Sequence, residues 1–243
     1  MELFWRLRLK PSLELEIIQI RKEQKMTKKF RRGLRGIILI AAVFSFFAGS
    51  ALAQTEGFIN EPYQKAFDTS YRMALEGKYD AAIAPLADLY KKDPKDFPVV
   101  FRLGYLCYLK GDFAASIKFY REAVSLRPQA VETHLGLILP YMAQKDYNGA
   151  VAAGTAALKV DPNNPTALGK VAYAYYLLGD FKSAARYYQK FLDLYPMDVT
   201  MRLGLGWSYL QSGDKARAKE EFTQILLISP YDKSALLGYS QSK

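Results

Sequence analysis

The sequence is short of the side chains that carry chemistry. Its 243 residues include one cysteine, Cys107, and one histidine, His134. A lone cysteine excludes an intramolecular disulfide, which fits the cytosol or an exported protein whose core is large enough to do without one. One histidine and one cysteine cannot assemble a zinc site, and no carboxylate spacing replaces it. A Gly-rich phosphate loop is missing as well. The expectation is a protein without metal or cofactor and without enzymatic activity. Cys107 is expected to pack as a small buried hydrophobe and His134 as a core or edge residue.

The body of the chain also lacks a concentration of positive charge. The formal net charge is +10, but residues 1–53 hold 11 basic and 4 acidic residues, and residues 54–243 hold 23 and 20. A nucleic-acid groove needs clustered cations to displace counterions, and no Lys/Arg run longer than Lys91-Lys92 occurs after residue 53. Nucleic acid is therefore not an expected partner.

The excess charge belongs to the first 53 residues. Lys28, Lys29, Arg31, Arg32 and Arg35 precede an apolar stretch from Ile37 to Phe47, and Ala51-Leu52-Ala53 supplies a small-x-small cleavage site. Residues 26–53 thus read as an export signal, with Gln54 as the new N-terminus and residues 54–62 as a linker. The periplasm or the exterior is the expected destination. An uncleaved anchor facing the periplasm is the alternative, since residues 36–53 are 18 uncharged residues, near the lower limit for spanning a bilayer. Residues 1–25 fit neither plan. Met26 is placed to begin the signal, and Lys22-Glu23 can be encoded AAG-GAG, a purine-rich ribosome-binding sequence. Residues 1–25 are accordingly read as an upstream extension wrongly assigned to the frame, with a genuine disordered cytoplasmic tail as the alternative.

What the chain has in abundance is self-similarity. Pro94, Pro128, Pro162, Pro196 and Pro230 recur at intervals of 34 residues. Gly77, Gly111, Lys145, Gly179 and Gly213 keep the same interval, as do Ala82, Ser116, Ala150, Ala184 and Ala218. Each unit runs to a glycine suited to the left-handed C-cap, then in four cases to an N-capping Asp (Asp112, Asp146, Asp180, Asp214). A second apolar-periodic segment then runs to the proline, which cannot continue a helix. The unit is helix–turn–helix, five times over: residues 63–96, 97–130, 131–164, 165–198 and 199–230. Residues 231–243 begin a sixth first helix and are expected to cap the array.

These units resemble the tetratricopeptide repeat family. The second shows it best, with Leu103-Gly104, Cys107, Gly111-Asp112-Phe113, Ser116, Tyr120, Ala123 and Pro128. The third departs most, with Lys145 for Gly, Gly154 for the usual aromatic and Pro140 within its first helix, where a kink or altered packing is expected. The resemblance implies an all-α fold, a right-handed α-solenoid with a short C-terminal capping helix. It also implies that the small residues at Ala82 and its equivalents let paired helices approach, while larger ones such as Tyr120, Tyr188 and Phe222 fill the space between neighbouring units.

With the proline numbered 32 in each unit, positions 4, 7, 8 and 11 of the first helix are the family's packing positions. Positions 2, 5, 9, 12 and 13 fall on the opposite side, each set spanning an arc of about 100°. The resemblance places the latter along a concave groove. Here they read Phe67, Tyr71 and Leu75; Phe101, Tyr105, Tyr108 and Leu109; Leu135, Leu139 and Met142; Tyr173, Tyr176 and Leu177; Leu203, Trp207 and Leu210. Apolar residues on both sides of the first helices exceed what a structural solenoid needs, and aromatic side chains make good anchors. Tight winding that buries them between neighbouring first helices is the alternative. The carboxylate clamp of the family's chaperone adaptors is not expected, because Arg102 and Lys170 near the groove edge do not form one.

The function implied is a protein-binding scaffold or adaptor that takes an apolar or aromatic peptide or helix in its groove, within a cell-envelope assembly. A membrane-tethered assembly factor and a small-ligand or glycan binder using the tyrosines are the competing expectations.

Overall fold

The computed structural model describes residues 61–243, which form one compact unit. The export signal, the upstream extension and nearly all of the linker lie outside the described residues. The described residues fold into α-helices joined by short turns. In chain order these are α1 (Glu61–Leu75), α2 (Tyr79–Lys92), α3 (Phe97–Lys110), α4 (Phe113–Leu126), α5 (Val131–Ala143), α6 (Tyr147–Val160), α7 (Pro165–Leu178), α8 (Phe181–Leu194), α9 (Val199–Gln211), α10 (Lys215–Ile228) and α11 (Lys233–Gln241). Glu61 and Pro62, assigned above to the linker, are the first turn of α1. A proline is tolerated there because first-turn N–H groups lack intrahelical partners.

The punctuation works as the residue types require. Gly77, Gly111, Gly179 and Gly213 all have positive φ, and Lys145 holds the same place at φ 61° as the one non-glycine with positive φ among the described residues. The side chains of Asp112, Asp146, Asp180 and Asp214 accept the N–H three residues on, capping α4, α6, α8 and α10. A second series of caps starts the first helices: Asp96, Asn164, Asp198 and Asp232 accept from Val99, Ala167, Met201 and Ala235. In the third repeat Ala130 occupies this position and makes no side-chain cap. Its helix α5 nevertheless runs unbroken through Pro140, which cannot donate to the Gly136 carbonyl.

Helices pack with their sequence neighbours, so the core is a line of small clusters along the array. Ala82, Ala150, Ala184 and Ala218 are fully buried where paired helices cross, and the Ser116 hydroxyl, also buried, donates to the Gly104 carbonyl at 2.8 Å. Between repeats, one aromatic ring from each of three second helices fills the gap. Tyr120 lies against Gly104 of its own repeat and Gly136 of the next. Phe222 is held likewise between Gly206 and Gly238, and Tyr188 abuts Gly204. Where the second helix offers no ring, the facing residue of the next repeat is a long cation instead of glycine: Leu86 precedes Arg102, and Gly154 precedes Lys170. Packing is altered in the third repeat as the glycine required. Val171 reaches into the space that a β-carbon on Gly154 would occupy.

Candidate functional site

Consecutive first helices from α3 to α11 touch one another directly, while no comparable contact joins consecutive second helices among the described residues. A stack whose first helices lie closer together than its second helices curves toward the first helices. The face they present is therefore the inner wall of the array.

The expected groove residues divide into two groups on this wall. Tyr71 and Leu75 are exposed, at 49% and 54%. Phe67, Phe101, Tyr105, Tyr108, Leu109, Leu135, Leu139, Met142, Tyr173, Tyr176, Leu177 and Leu210 are half-buried. Leu203 and Trp207 are not groove residues. They are buried at 5% and 8% exposure in a cluster with Phe222, Ile225 and Ala235. The Trp207 ring meets Phe222 edge-on at 5.3 Å, and its Nε1–H donates to the Ser234 hydroxyl at 3.0 Å. The cause is α11, whose small residues Ala235 and Gly238 let it close over the last repeat. The angular pattern assigns Trp207 correctly to one side of α9 but carries no information about what covers that side.

The N-terminal half of the wall holds a continuous aromatic strip. Tyr63, Phe67 and Tyr71 follow one another along α1 with ring centroids 5.0 and 6.4 Å apart. Arg102, from α3, places its guanidinium 3.9 Å from the centroid of Tyr71 and 5.6 Å from that of Tyr105. Such stacking joins the strip across two repeats. Phe101 stands between Phe97, at 5.8 Å, and the buried ring of Tyr120, at 5.5 Å. Sequence reasoning missed Arg102 as a member of this strip. Its position directly between Phe101 and the packing residue Leu103 was the available signal.

Tyr108 and Tyr176 serve partly as packing. Each leans on the first residue of its partner helix, Phe113 at 6.0 Å and Phe181 at 5.3 Å, and burial pushes both phenols above the ordinary tyrosine range. Midway along the array, Leu135, Leu139 and Tyr173 are half-buried, as is Lys170, whose ammonium burial holds below the usual lysine range. The candidate surface thus runs from Phe67 to Tyr173, an apolar and aromatic wall with Arg102 and Lys170 set into it.

The lone cysteine and the lone histidine hold structural places. Cys107 is buried at 5% exposure, with its thiol pushed up to about 11 mainly by burial and secondarily by the Asp112 carboxylate. A thiol so raised is protonated near neutrality and is a poor nucleophile. His134, at the edge of α5, places Nε2 2.9 Å from the Pro128 carbonyl, tying the turn before the helix. No cluster of metal-ligating side chains occurs among the described residues. No helix among them is long and apolar enough to cross a membrane.

The fold and wall define a class: a repeat scaffold of stacked helix pairs that presents an extended surface. The chain belongs to the tetratricopeptide repeat family, whose model matches residues 76–131, 135–196 and 172–235. That family is typically non-enzymatic and works as a protein–protein interaction scaffold. Among curated relatives, the chain is 26% identical over 194 residues to an N-terminal acetyltransferase A complex subunit-like protein of Schizosaccharomyces pombe, covering 78% of this chain and 27% of that one. It is 25% identical over 160 residues to the formate-dependent nitrite reductase complex subunit NrfG of Escherichia coli O157:H7, covering 65% of this chain and 81% of that one. It therefore spans only about a quarter of the first relative's length and most of the second's. Among solved structures, MamA superposes with a TM-score of 0.65 over 72% of this chain and 97% of that one, at 20% identity. A tetratricopeptide repeat protein from Parabacteroides merdae gives 0.66 over 74% and 72%, at 18% identity. Likeness at that identity establishes the fold.

Proposed function

We propose that the protein is an exported adaptor that holds an apolar or aromatic segment of a partner protein along its first-helix wall, within a cell-envelope assembly. The observation that carries the proposal is the strip Phe67, Tyr71, Phe101 and Tyr105, stacked with Arg102 and open to solvent at Tyr71. Aromatic side chains that are preorganised yet incompletely covered are the usual anchors of protein interfaces. NrfG, at 81% coverage, is by name a subunit of an enzyme complex, which accords with a supporting role in an assembly. Export rests on the basic, apolar and small-residue succession of residues 28–53.

A photo-cross-linking residue placed at Tyr71 or Tyr173 in cells, with Thr223 on α10 as control, tests the reading. The two wall positions should give the same partner protein and the control none. A partner captured equally from Thr223 would remove the wall from the account. Cell fractionation followed by N-terminal sequencing tests export: the expected first residue is Gln54.

A further inference from the structure

Away from the first-helix wall, a cleft of about 560 Å³ opens between α8 and the turn from α9 to α10. Lys182, Arg186 and Lys190 line it from α8, and Tyr209, Asp214 and Arg217 face them. On α9, Tyr209 lies two residues from Trp207, the residue covered by α11, and nearly opposite it around the helix. The cleft is thus a different surface from the one described above.

Its charge is one-sided. Four cations stand against one carboxylate. Asp214 is already engaged, capping α10 through the Arg217 N–H and pairing with the Arg217 guanidinium at 2.6 Å. Asp180 lies within electrostatic reach of Arg186 and Lys182, but its carboxylate is committed to the Ser183 N–H. Lys182, Arg186 and Lys190 are exposed and make no ion pair among the described residues. Arg186, Lys190 and Arg217 also rest on aromatic rings. The Tyr187 ring, stacked on Tyr175 at 5.6 Å, has Arg186 at 5.3 Å and Lys190 at 5.5 Å, and Arg217 lies 4.3 Å over Tyr209.

The spacing of these cations selects an occupant. Lys182, Arg186 and Lys190 fall four residues apart on one stripe of α8, a rise of about 6 Å between neighbours. Side chains on one face of an extended chain recur every two residues, about 6.6–6.8 Å. The difference is within the reach of flexible Lys and Arg side chains. We infer that this cleft docks an extended acidic segment of a protein partner, with carboxylates at alternate positions meeting Lys182, Arg186 and Lys190. Arginine's planar fork adds bidentate geometry at Arg186. The recess is walled on two sides, which suits a single chain and not the plane of a bilayer.

The test uses the full-length chain and a short fluorescein-labelled peptide of alternating Glu and Ser. The peptide should bind, more weakly as salt rises, and the same peptide with Gln for Glu should not. The combined variant Lys182→Glu, Arg186→Glu, Lys190→Glu should lose about tenfold or more in affinity, with its circular dichroism unchanged. The corresponding triple alanine variant should lose less, and Lys118→Ala, which removes an exposed cation of α4, nothing. Equal binding of the Gln peptide, or full binding by the charge-reversed variant, would overturn the inference. So would tighter binding, with the same residue dependence, of phosphatidylglycerol vesicles or alginate, which would assign the cleft to a lipid or glycan.

Discussion

The ring of Tyr120 occupies the place where a β-carbon on Gly136 would have to sit. A built β-carbon there comes within 2.7 Å of ring atoms Cδ1 and Cζ, and these ring atoms are in a side chain only 2% exposed. The ring cannot retreat, because Gly104 closes on its other side, with 3.1 Å from a built β-carbon to Cγ. Gly136→Ala should therefore destabilise the array by about 1–3 kcal/mol, the usual cost of overpacking. Tyr120→Ala should cost about 3–5 kcal/mol through the cavity it leaves. In the double variant the two costs should not add, since the methyl would enter the vacated space. Urea denaturation of the three variants checks this; simple additivity would contradict the ring-in-glycine packing.

The third repeat should be the array's weak point. It begins without a side-chain cap at Ala130, carries Pro140 in α5, and ends that helix with Lys145 at φ 61°. A left-handed non-glycine costs about 1–2 kcal/mol. Glycine relieves that but raises unfolded-state entropy by about 0.4–1 kcal/mol. Lys145→Gly should accordingly stabilise by roughly 0.5–1 kcal/mol, seen as a higher melting temperature. Hydrogen exchange in the natural chain should be fastest around residues 140–156. Uniform protection across all five repeats would contradict the assignment.

Trp207 and Tyr71 occupy related faces of their first helices and should behave oppositely. Trp207→Ala removes a buried ring and its bond to Ser234, and should cost about 3–5 kcal/mol of stability. Tyr71→Ala removes a half-exposed ring and should lower the melting temperature far less. Thermal melts of the two variants side by side decide it.

Cys107 makes stability pH-dependent at the alkaline end. Its folded-state value is raised, so the native state holds the proton more tightly than the unfolded chain. Its contribution is fully present below the unfolded value of 9.0 and is lost as pH rises through about 11. The stability difference between the natural chain and Cys107→Ala should therefore narrow by up to a few kcal/mol between these pH values, at about 1.4 kcal/mol per unit. A constant difference would show that the thiol is not buried as described.

Much of this architecture is legible in the sequence because its physics is local. The prolines at 34-residue intervals each stand two residues past the end of a second helix, and Asp112 or Gly111 caps through its own neighbours. The pairing of Tyr120 with Gly136 is legible too, once position 24 of one repeat is compared with position 6 of the next. The coverage of Leu203 and Trp207 is not. It depends on how closely α11 approaches α9, which Ala235 and Gly238 permit but no periodicity reports. The Arg102 contact with Tyr71 is hidden for the same reason. It joins residues of different repeats, and a helical wheel treats each helix alone. The cation stripe of α8 reads as a solvated face until Tyr209 and Arg217 are placed opposite it.

The central claim is that the wall from Phe67 to Tyr173 binds and the clusters behind it hold the fold. Once a partner has been captured, titration calorimetry on Tyr71→Ala and Tyr173→Ala, with a melt of each, measures both halves. Truncation of an anchor should cost on the order of 2 kcal/mol of binding, roughly a thirtyfold loss in affinity, with the melting temperature close to that of the natural chain. Unchanged affinity together with a clearly lowered melting temperature would contradict the claim and make the wall a structural seam.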